Sequence, residues 1–381
     1  MAYSEVKIPR FIVDYVSWYN ALELIDLETS SIGNGGSPSG DLNTIKSFIG
    51  LNPASYIPMI RSQDVYTGLN FHLKTPNGFP ISMVNVVGVF NHNLADYDGQ
   101  VVDGNDFRVE FYWKEAGLGG ALMSSHDINI NFKRIQNSSI SLASDYNGWS
   151  LRSVSGSTGA AQQIDNNVSE LLPNIRGINK NDDKINIGSL LMGRYYDMVN
   201  APNLSLTMSR DYGGTKEFTT YNGSSMSNTM YTGSPKWGDL GAWELLDPNN
   251  SRPLNQNLAR SGRRSWNLKF SFMGDSDLWG SNQMISRYLT LGSDTGYEEG
   301  DISNDGSAFN YNLLTDDDSG NFFSQVWQKT LGGSLPMILQ MDKDNFNPDQ
   351  FAICKFKQNS LKATQTAPNL YDISLDIEET F

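Results

Sequence analysis

Apolar and polar residues alternate along several short stretches in the second half of the chain. In SWNLKFSFM, the apolar residues on one face are Trp266, Leu268, Phe270 and Phe272. In LYDISLDIEE, the apolar face is Tyr371, Ile373, Leu375 and Ile377, and the polar face is Asp372, Ser374, Asp376 and Glu378. Alternation with a period of two is typical of a strand with one buried face, because successive side chains point to opposite sides. Both stretches are therefore predicted strands with their apolar faces in the core.

The segment from 81 to 173 shows the same kind of pattern. Met83–Phe90 is almost wholly apolar and predicts a buried strand that ends at Asn91. The stretch FRVEFYW alternates from Phe107 to Trp113, and Ile128 and Ile130 repeat the theme. Short strands separated by Gly, Asp and Asn turns predict an antiparallel β-sandwich of the jelly-roll type over residues 81–173.

The residues before this segment are predicted to form an N-terminal arm and linker over 1–80. Ser30–Asp41 is rich in Gly, Ser and Pro, which is the composition of a loop. Between Arg10 and Leu27 the apolar spacing first fits a strand and then a helix, so the type of this element stays open.

A second β domain is predicted over 183–381, with a long polar insertion at about 275–319. Leu204, Leu206 and Met208 alternate with polar residues, and the following Gly213–Gly214 turn leads into KEFTTY, which predicts a hairpin. After the insertion, the stretch NFFSQVWQKTL predicts one amphipathic helix that ends at Gly332. Three more strands follow, in PMILQM, FAICKFK and LYDISLDIEE. The whole chain is thus predicted to be mainly β, a sandwich or split barrel with one packed helix.

The charge balance bears on possible partners. The 381 residues include 28 Lys and Arg against 42 Asp and Glu, a formal net charge of −14. Phosphate binding needs clusters of Lys and Arg, and the largest cluster here is Arg260, Arg263 and Arg264. We therefore expect no specific nucleic-acid binding. We also expect no membrane association, since the most apolar run is far shorter than the roughly 20 residues of a membrane span.

No residue is assigned a catalytic, cofactor-binding or metal-binding role. His72, His92 and His126 have no partner at metal-ligand spacing, and a turn role at a strand end is preferred for His92. Cys354 is the single cysteine, which excludes an intrachain disulfide. Two acidic clusters are expected to be solvated, and calcium binding is left open for the first of them. These clusters are Asp96, Asp98, Asp103 and Asp106, and Asp316, Asp317 and Asp318.

Several tryptophans raise an alternative function. Trp237, Trp243, Trp266 and Trp279 lie in two short blocks, with Arg263 and Arg264 beside Trp266. Aromatic rings of this kind stack on sugars, but in strand-rich segments they are more often core or interface anchors.

Five segments together resemble virion structural proteins of tailed phages, in particular those of marine and cyanobacterial phages. They are PRFIVDY, VVGVFNHNL, MGRYYDMVNAPNLSLTMSRDYGG, the WGDLGAWEL to SGRRSWNLKFSFM block, and FAICKFKQNSLKATQTAPNLYDISLDIEE. The resemblance covers most of the chain. The order of elements in the second half is similar to the tail-tube fold of tube, distal-tail and baseplate-hub proteins, while the extra N-terminal residues favour a distal-tail or baseplate component.

The resemblance implies a non-enzymatic component of the virion tail, a distal-tail, baseplate or hub ring that connects the tail tube to tip or fibre proteins. Its expected partners are copies of itself in a six-fold or three-fold ring, other tail or baseplate proteins, and DNA that passes through a channel without specific binding. No cofactor is expected. The first alternative is a carbohydrate- or receptor-binding module of a tail tip or fibre, and the second is a polysaccharide-degrading enzyme on the particle.

Overall fold

The computed structural model describes ten segments of the chain with their side chains, and further residues of strands and helical turns by their backbone alone. The first set is 7–23, 49–52, 86–92, 149–153, 188–211, 217–227, 263–274, 277–279, 321–347 and 349–380. The second set is 25–28, 57–58, 66–68, 70–73, 101–102, 105–106, 108–115, 128–131, 143–146, 168–176, 186–187, 215–216, 228–229, 275–276 and 348.

The described chain is mainly β, which confirms the predicted class, and its strands pair antiparallel. The strands are β1 (Arg10–Asp14), β2 (Ile25–Glu28), β3 (Ile57–Pro58), β4 (Tyr66–Gly68), β5 (Asn70–Leu73), β6 (Val86–Phe90), β7 (Val101–Val102), β8 (Asn105–Asp106), β9 (Arg108–Glu115), β10 (Ile128–Asn131), β11 (Ala143–Tyr146), β12 (Trp149–Ser153), β13 (Val168–Arg176), β14 (Asn186–Ile187), β15 (Ser189–Asp197), β16 (Thr207–Asp211), β17 (Thr215–Thr219), β18 (Ser225–Thr229), β19 (Arg263–Gly274), β20 (Met337–Gln340), β21 (Phe351–Phe356), β22 (Ala363–Ala367) and β23 (Leu370–Glu379). The helical elements are α1 (Tyr15–Ala21), α2 (Asp275–Leu278), a π-helical turn (Phe323–Trp327) and a 3₁₀ turn (Pro348–Gln350).

Eleven of these strands form the main sheet. Its order is β11-β12-β6-β15-β1-β20-β21-β23-β19-β16, with β22 paired to β23 beside this path. A second sheet of six strands has the order β10-β9-β13-β5-β2, with β4 paired to β13. The strands predicted within 81–173 therefore divide between the two sheets, since β6, β11 and β12 join the main sheet while β9, β10 and β13 join the second.

The N-terminal strand β1 lies in the middle of the main sheet, between β15 and β20. All five of its residues are buried. Phe11 and Val13 belong to one core cluster and Ile12 to another, so this strand is covered on both faces. Residues 10–14 are consequently an interior strand, and the main sheet includes strands from each of the segments 1–80, 81–173 and 183–381.

The last strand, β23, alternates as its sequence predicts. Ile373, Leu375 and Ile377 are buried, whereas the acidic residues between them are partly exposed. Tyr371 is half-buried and packs against the same core cluster. The apolar face is therefore placed correctly by the sequence.

Strand β19 departs from strict alternation near its end. Its pairing with β23 shifts between Phe270 and Met273, which is a β-bulge with one extra residue on β19. Phe272 has a φ of 61° and is 70% exposed, and Met273 takes the next inward position. The prediction that Phe272 lies in the core is wrong, because the bulge turns its side chain to the outer face.

The predicted amphipathic helix is a buried helical segment with a π-helical turn. Its predicted apolar face was Phe323, Trp327 and Leu331 with Val326 beside them. Val326 and Trp327 are buried, as expected, whereas Phe323 is half-buried and Leu331 is 36% exposed. Phe322 is fully buried. The polar side chains of Gln325 and Lys329 are buried as well, so the segment has no solvated polar face. Gly332 follows it with a φ of 67°, where a glycine is favoured, and donates its N–H to the carbonyl of Trp327. A segment whose polar side chains are buried as well is stabilised by packing and not by amphipathicity.

We expect Trp327→Ala to lower the free energy of unfolding by about 3 to 5 kcal/mol, the usual range for a large core aromatic. Trp327 is buried, with 7% of its surface exposed, and its ring centre lies 5.2 Å from that of Phe356 on β21. Urea unfolding followed by circular dichroism measures the change, with Phe346→Ala as the control because Phe346 is exposed. Equal stabilities for the wild-type chain and the Trp327 variant would contradict this packing.

Candidate assembly surface

Strand β16 forms one end of the main sheet. It pairs with β19, with Met208 opposite Trp266 and Arg210 opposite Arg264. All five residues of β16 are exposed. Within the described chain no strand pairs with its other edge, so that edge presents backbone groups of the kind that add a further strand.

The strands β17 and β18 form a separate two-stranded hairpin. Phe218 lies directly opposite Met226, and both side chains are more than half exposed. The turn is well formed, since the Thr220 N–H donates to the Ser224 carbonyl at 2.8 Å and Gly223 takes a φ of 77°. A two-stranded hairpin is marginally stable by itself in water, so this one needs further contacts to persist.

The predicted hairpin between the Met208 strand and KEFTTY is wrong in its pairing. Leu204 lies in a turn ahead of β16 and is fully exposed. Strand β16 pairs with β19, and the KEFTT strand β17 pairs with β18. Two segments that local sequence favours as partners are thus apart in the single chain.

Exposed apolar side chains concentrate in this part of the sequence. Six of the ten exposed large apolar side chains in the described chain lie between Val199 and Met226. They are Val199, Leu204, Met208, Phe218, Tyr221 and Met226. Exposed apolar side chains that form a patch typically mark a contact with another protein, and these six lie close to one another in the sequence. We call β16 together with the β17–β18 hairpin the assembly surface.

The acidic side chains on one face of β23 contact groups of neighbouring strands and turns. The Asp376 carboxylate accepts a hydrogen bond from the Asn267 amide, and the Asp372 carboxylate accepts one at 3.3 Å from the Phe272 N–H. Glu378 lies 3.3 Å from the Lys357 ammonium group. Asp372 therefore supports the β19 bulge. The alternation of β23 predicts that Asp376→Asn leaves stability nearly unchanged, but this substitution would alter the contact with Asn267.

Two of the residues considered for sugar stacking lie inside the fold. Trp266 and Arg264 are buried, and the Arg264 guanidinium lies 5.2 Å from the Trp266 ring centre. Trp279 is half-buried and packs against Phe323. Trp237 and Trp243 lie outside the described residues. Trp266 is thus a core residue, and Trp279 packs against the same core cluster.

Arg264 forms a buried ion pair with Glu379 that joins three strands. Its guanidinium lies 3.0 Å from the Glu379 carboxylate and also donates to the carbonyls of Asp349 and Phe351, at 2.5 and 2.6 Å. Burial raises the pKa of Glu379, and the charge of Arg264 opposes that rise. The sequence singled out Arg264 for its charge, whereas its role in the fold is to bind β23 and β21 to β19.

A second buried polar group lies where β1 meets α1. The Asp14 carboxylate caps α1 by accepting from the N–H groups of Val16 and Ser17, and it accepts from the Ser17 hydroxyl and, at 3.2 Å, from the Met192 N–H of β15. Burial raises its pKa to about 6, although these hydrogen bonds act in the opposite direction. Nearby, the buried Lys329 ammonium lies 3.9 Å from the Trp18 ring centre. The sequence gives a sign of the first group only, since Asp14 is a capping aspartate ahead of an apolar run. Nothing in the sequence indicates that Lys329 is buried.

Of the three histidines, His92 is the one whose side chain is described. It is buried after β6, with its Nε2 atom 3.1 Å from the Ser150 hydroxyl of β12. His72 lies on β5, where only the backbone is described, and His126 lies outside the described residues. So do Asp96, Asp98, Asp103 and Asp316–Asp318, while Asp106 ends β8, whose side chains are not described.

The buried His92 predicts a loss of stability in acid. Burial lowers its pKa to about 3, so the imidazole stays neutral in the folded chain while it is protonated below about 6.5 in the unfolded chain. The unfolded state thus gains a proton as the pH falls through 6.5, and stability declines. We expect the wild-type chain to lose about 2 kcal/mol more than His92→Gln between pH 7 and pH 5.

Urea unfolding at several pH values measures this difference. Asp14 contributes a slope of the opposite sign, because its raised pKa makes the folded chain hold a proton between about 3.8 and 6. That contribution is common to both chains and cancels in the comparison. Parallel pH profiles for the two chains would contradict the burial of a neutral His92.

No family model, curated protein or solved structure matches the chain. In the part of the chain that the structure describes, no three His, Cys, Asp or Glu side chains are grouped as metal ligands. Helices of the length and apolar character needed to cross a bilayer are also absent among the described residues.

Proposed function

We propose that this chain is a non-enzymatic structural subunit of a phage tail, a distal-tail, baseplate or hub component that assembles with copies of itself. The observation that carries the proposal is the assembly surface, an exposed sheet edge followed directly by an exposed apolar hairpin. The resemblance of the sequence to tailed-phage virion proteins supplies the particular setting.

The physical argument starts from the cost of an open edge. A strand edge with free backbone groups binds other strands without selection, and natural proteins shield such edges with charges, bulges or a partner. The edge strand β16 carries Arg210 and Asp211 but also the exposed Met208. An edge of this composition is well suited to a specific partner and poorly suited to permanent exposure.

The finer fold forms part of the proposal. Strands β15, β16 and β19–β23, with the buried segment around Phe322 and Trp327 packed against them, support a tail-tube-like arrangement over 183–381. The antiparallel strands β9, β10 and β13 support a sandwich-like module within 81–173. In this proposal β1 contributes a strand to the tube-like sheet from the far end of the chain.

A channel for DNA is also proposed. The net charge of −14 and the carboxylates of Asp372, Asp376 and Glu378 on one face of β23 suit a surface that DNA passes without binding, because like charges repel. Charge reversal at all three positions would slow genome ejection from assembled particles if this face lines the channel.

The test is the assembly state of the purified full-length chain. We expect mass photometry at micromolar concentration to show a closed oligomer, six-fold or three-fold, and electron microscopy to show a ring with a central hole. A chain that remains monomeric, also with purified tail proteins present, would overturn the proposal. Glycan binding by a monomer would favour the receptor-binding alternative, and release of reducing sugar would favour the enzyme.

A further inference from the structure

We propose that β17 of a second copy of this chain pairs antiparallel with the open edge of β16. This inference rests on the proposed function, because it needs a self-assembling chain, and it names the partner and the register of the contact. Each copy offers both halves of the contact, since among the described strands none pairs with the outer edge of β16 and none extends the β17–β18 hairpin into a larger sheet. The hairpin of the second copy would then continue the main sheet beyond β16.

The charges of the two strands favour one direction and one register, in which two neighbouring positions pair opposite charges. The sequence reads Arg210-Asp211 in β16 and Lys216-Glu217 in β17. In the antiparallel register that sets Arg210 opposite Glu217, Asp211 lies opposite Lys216, so both positions pair opposite charges. The parallel alignment of the same residues sets like charges opposite each other, which is unfavourable.

The same register also places the exposed apolar side chain of Phe218 against β16. Ser209 lies opposite Phe218, and Met208 lies opposite Thr219, so four consecutive pairs fall within the two strands. Phe218, with Met226 across the hairpin, then lies on the face of β16 where the Ser209 hydroxyl contacts that of Ser265 on β19, at 2.6 Å. The exposed Phe218 would cover this polar edge and lose its own contact with water.

Pairing of β16 with itself explains the charges less well. Setting Arg210 opposite Asp211 of a second β16 overlaps the two strands by only two residues, because β16 ends at Asp211. It would also leave the β17–β18 hairpin without a partner. Pairing between β16 and β17 joins two different surfaces, so the contact is head-to-tail and closes into a ring when the rotation permits.

Charge reversal tests the register. Arg210→Glu sets two carboxylates opposite each other at this contact, and Glu217→Arg sets two guanidinium groups opposite each other. Each variant alone should therefore self-associate about tenfold or more weakly than the wild-type chain. Mixing the two variants allows contacts in which both strands keep the wild-type charges and should restore assembly in part, whereas the double variant restores an opposite pair at every contact. Lys269→Glu, an exposed reversal on β19, is the control and should leave assembly unchanged.

Crosslinking tests the contact directly and does not depend on the folding of the Arg210 variant. Ser209→Cys and Phe218→Cys are made in separate chains. The natural Cys354 can stay in both chains because it is buried. We expect disulfide-linked dimers when the two chains are mixed and few from either chain alone, because opposite residues of an antiparallel pair have the spacing that a disulfide requires.

The outcomes separate this inference from the proposed function. A wild-type oligomer that is unaffected by both charge reversals, or that gives no mixed crosslink, overturns the inference and leaves the structural role standing. A monomeric wild-type chain overturns both. An internal disulfide in a monomer that carries both cysteines would show that β16 pairs with β17 of its own chain, which also overturns the inference.

Discussion

Replacing Leu375 with aspartate is expected to prevent folding. Leu375 is fully buried on β23 and lies opposite Leu268 of β19. Removing a buried leucine costs about 2 to 5 kcal/mol, and burying an unpaired carboxylate costs several more. The sum is comparable with the whole stability of a domain, about 5 to 15 kcal/mol. Circular dichroism and size-exclusion chromatography of the expressed variant measure the result.

The matched control is Gln365→Asp on the neighbouring strand β22. Gln365 is exposed and pairs with Tyr371 of β23, so the same charge is introduced on the same sheet without burial. This variant should fold with a stability within about 0.5 kcal/mol of the wild type. A folded and cooperative Leu375→Asp chain would show that this face of β23 is not in the core.

Arg264→Met is expected to destabilise the chain by about 3 to 5 kcal/mol, because it leaves the buried Glu379 carboxylate without its partner. The substitution also removes the donors to the Asp349 and Phe351 carbonyls. Replacing both Arg264 and Glu379 with methionine should recover part of the lost stability, since the double change also removes the unpaired buried carboxylate. Chemical denaturation of the three chains measures the coupling.

An exposed ion pair on the same sheet is the control for Arg264. The Lys357 and Glu378 side chains lie 3.3 Å apart but are 67% and 47% exposed. Solvent screens such a pair, so Lys357→Ala should change the free energy of unfolding by less than about 1 kcal/mol. Equal losses from the buried and the exposed pair would contradict the role of Arg264 in joining β19, β21 and β23.

Phe270 and Phe272 show what the alternating pattern within one strand does not predict. Both residues occupy apolar positions of one alternating stretch, and the sequence places both in the core. Phe270 is buried, but the bulge opposite β23 turns Phe272 outward, and the Asp372 carboxylate accepts its N–H there. A bulge depends on the pairing of two strands far apart in sequence, so alternation within one strand does not reveal it.

The wrong hairpin prediction for β16 also results from pairing between strands that are far apart in sequence. Its sequence and the Gly213–Gly214 turn favour a hairpin with the next strand, which is the shortest connection available. In the structure β19 occupies the inner edge of β16, with which it forms five paired positions. The other edge of β16 is the one to which we propose that β17 of a second copy pairs.

Local patterns of residues were enough to establish the class of the fold and the inward faces of strands such as β23, because the side-chain period of a strand is a local property. The apolar run Phe11-Ile12-Val13 fitted the spacing of a strand, but the sequence left the type of this element open. The three-dimensional arrangement was needed to establish that this run lies between β15 and β20, that Asp14, Lys329 and Glu379 are buried, and that β16 ends the sheet. Those outcomes depend on contacts between distant segments, whose partners no local pattern of residues specifies.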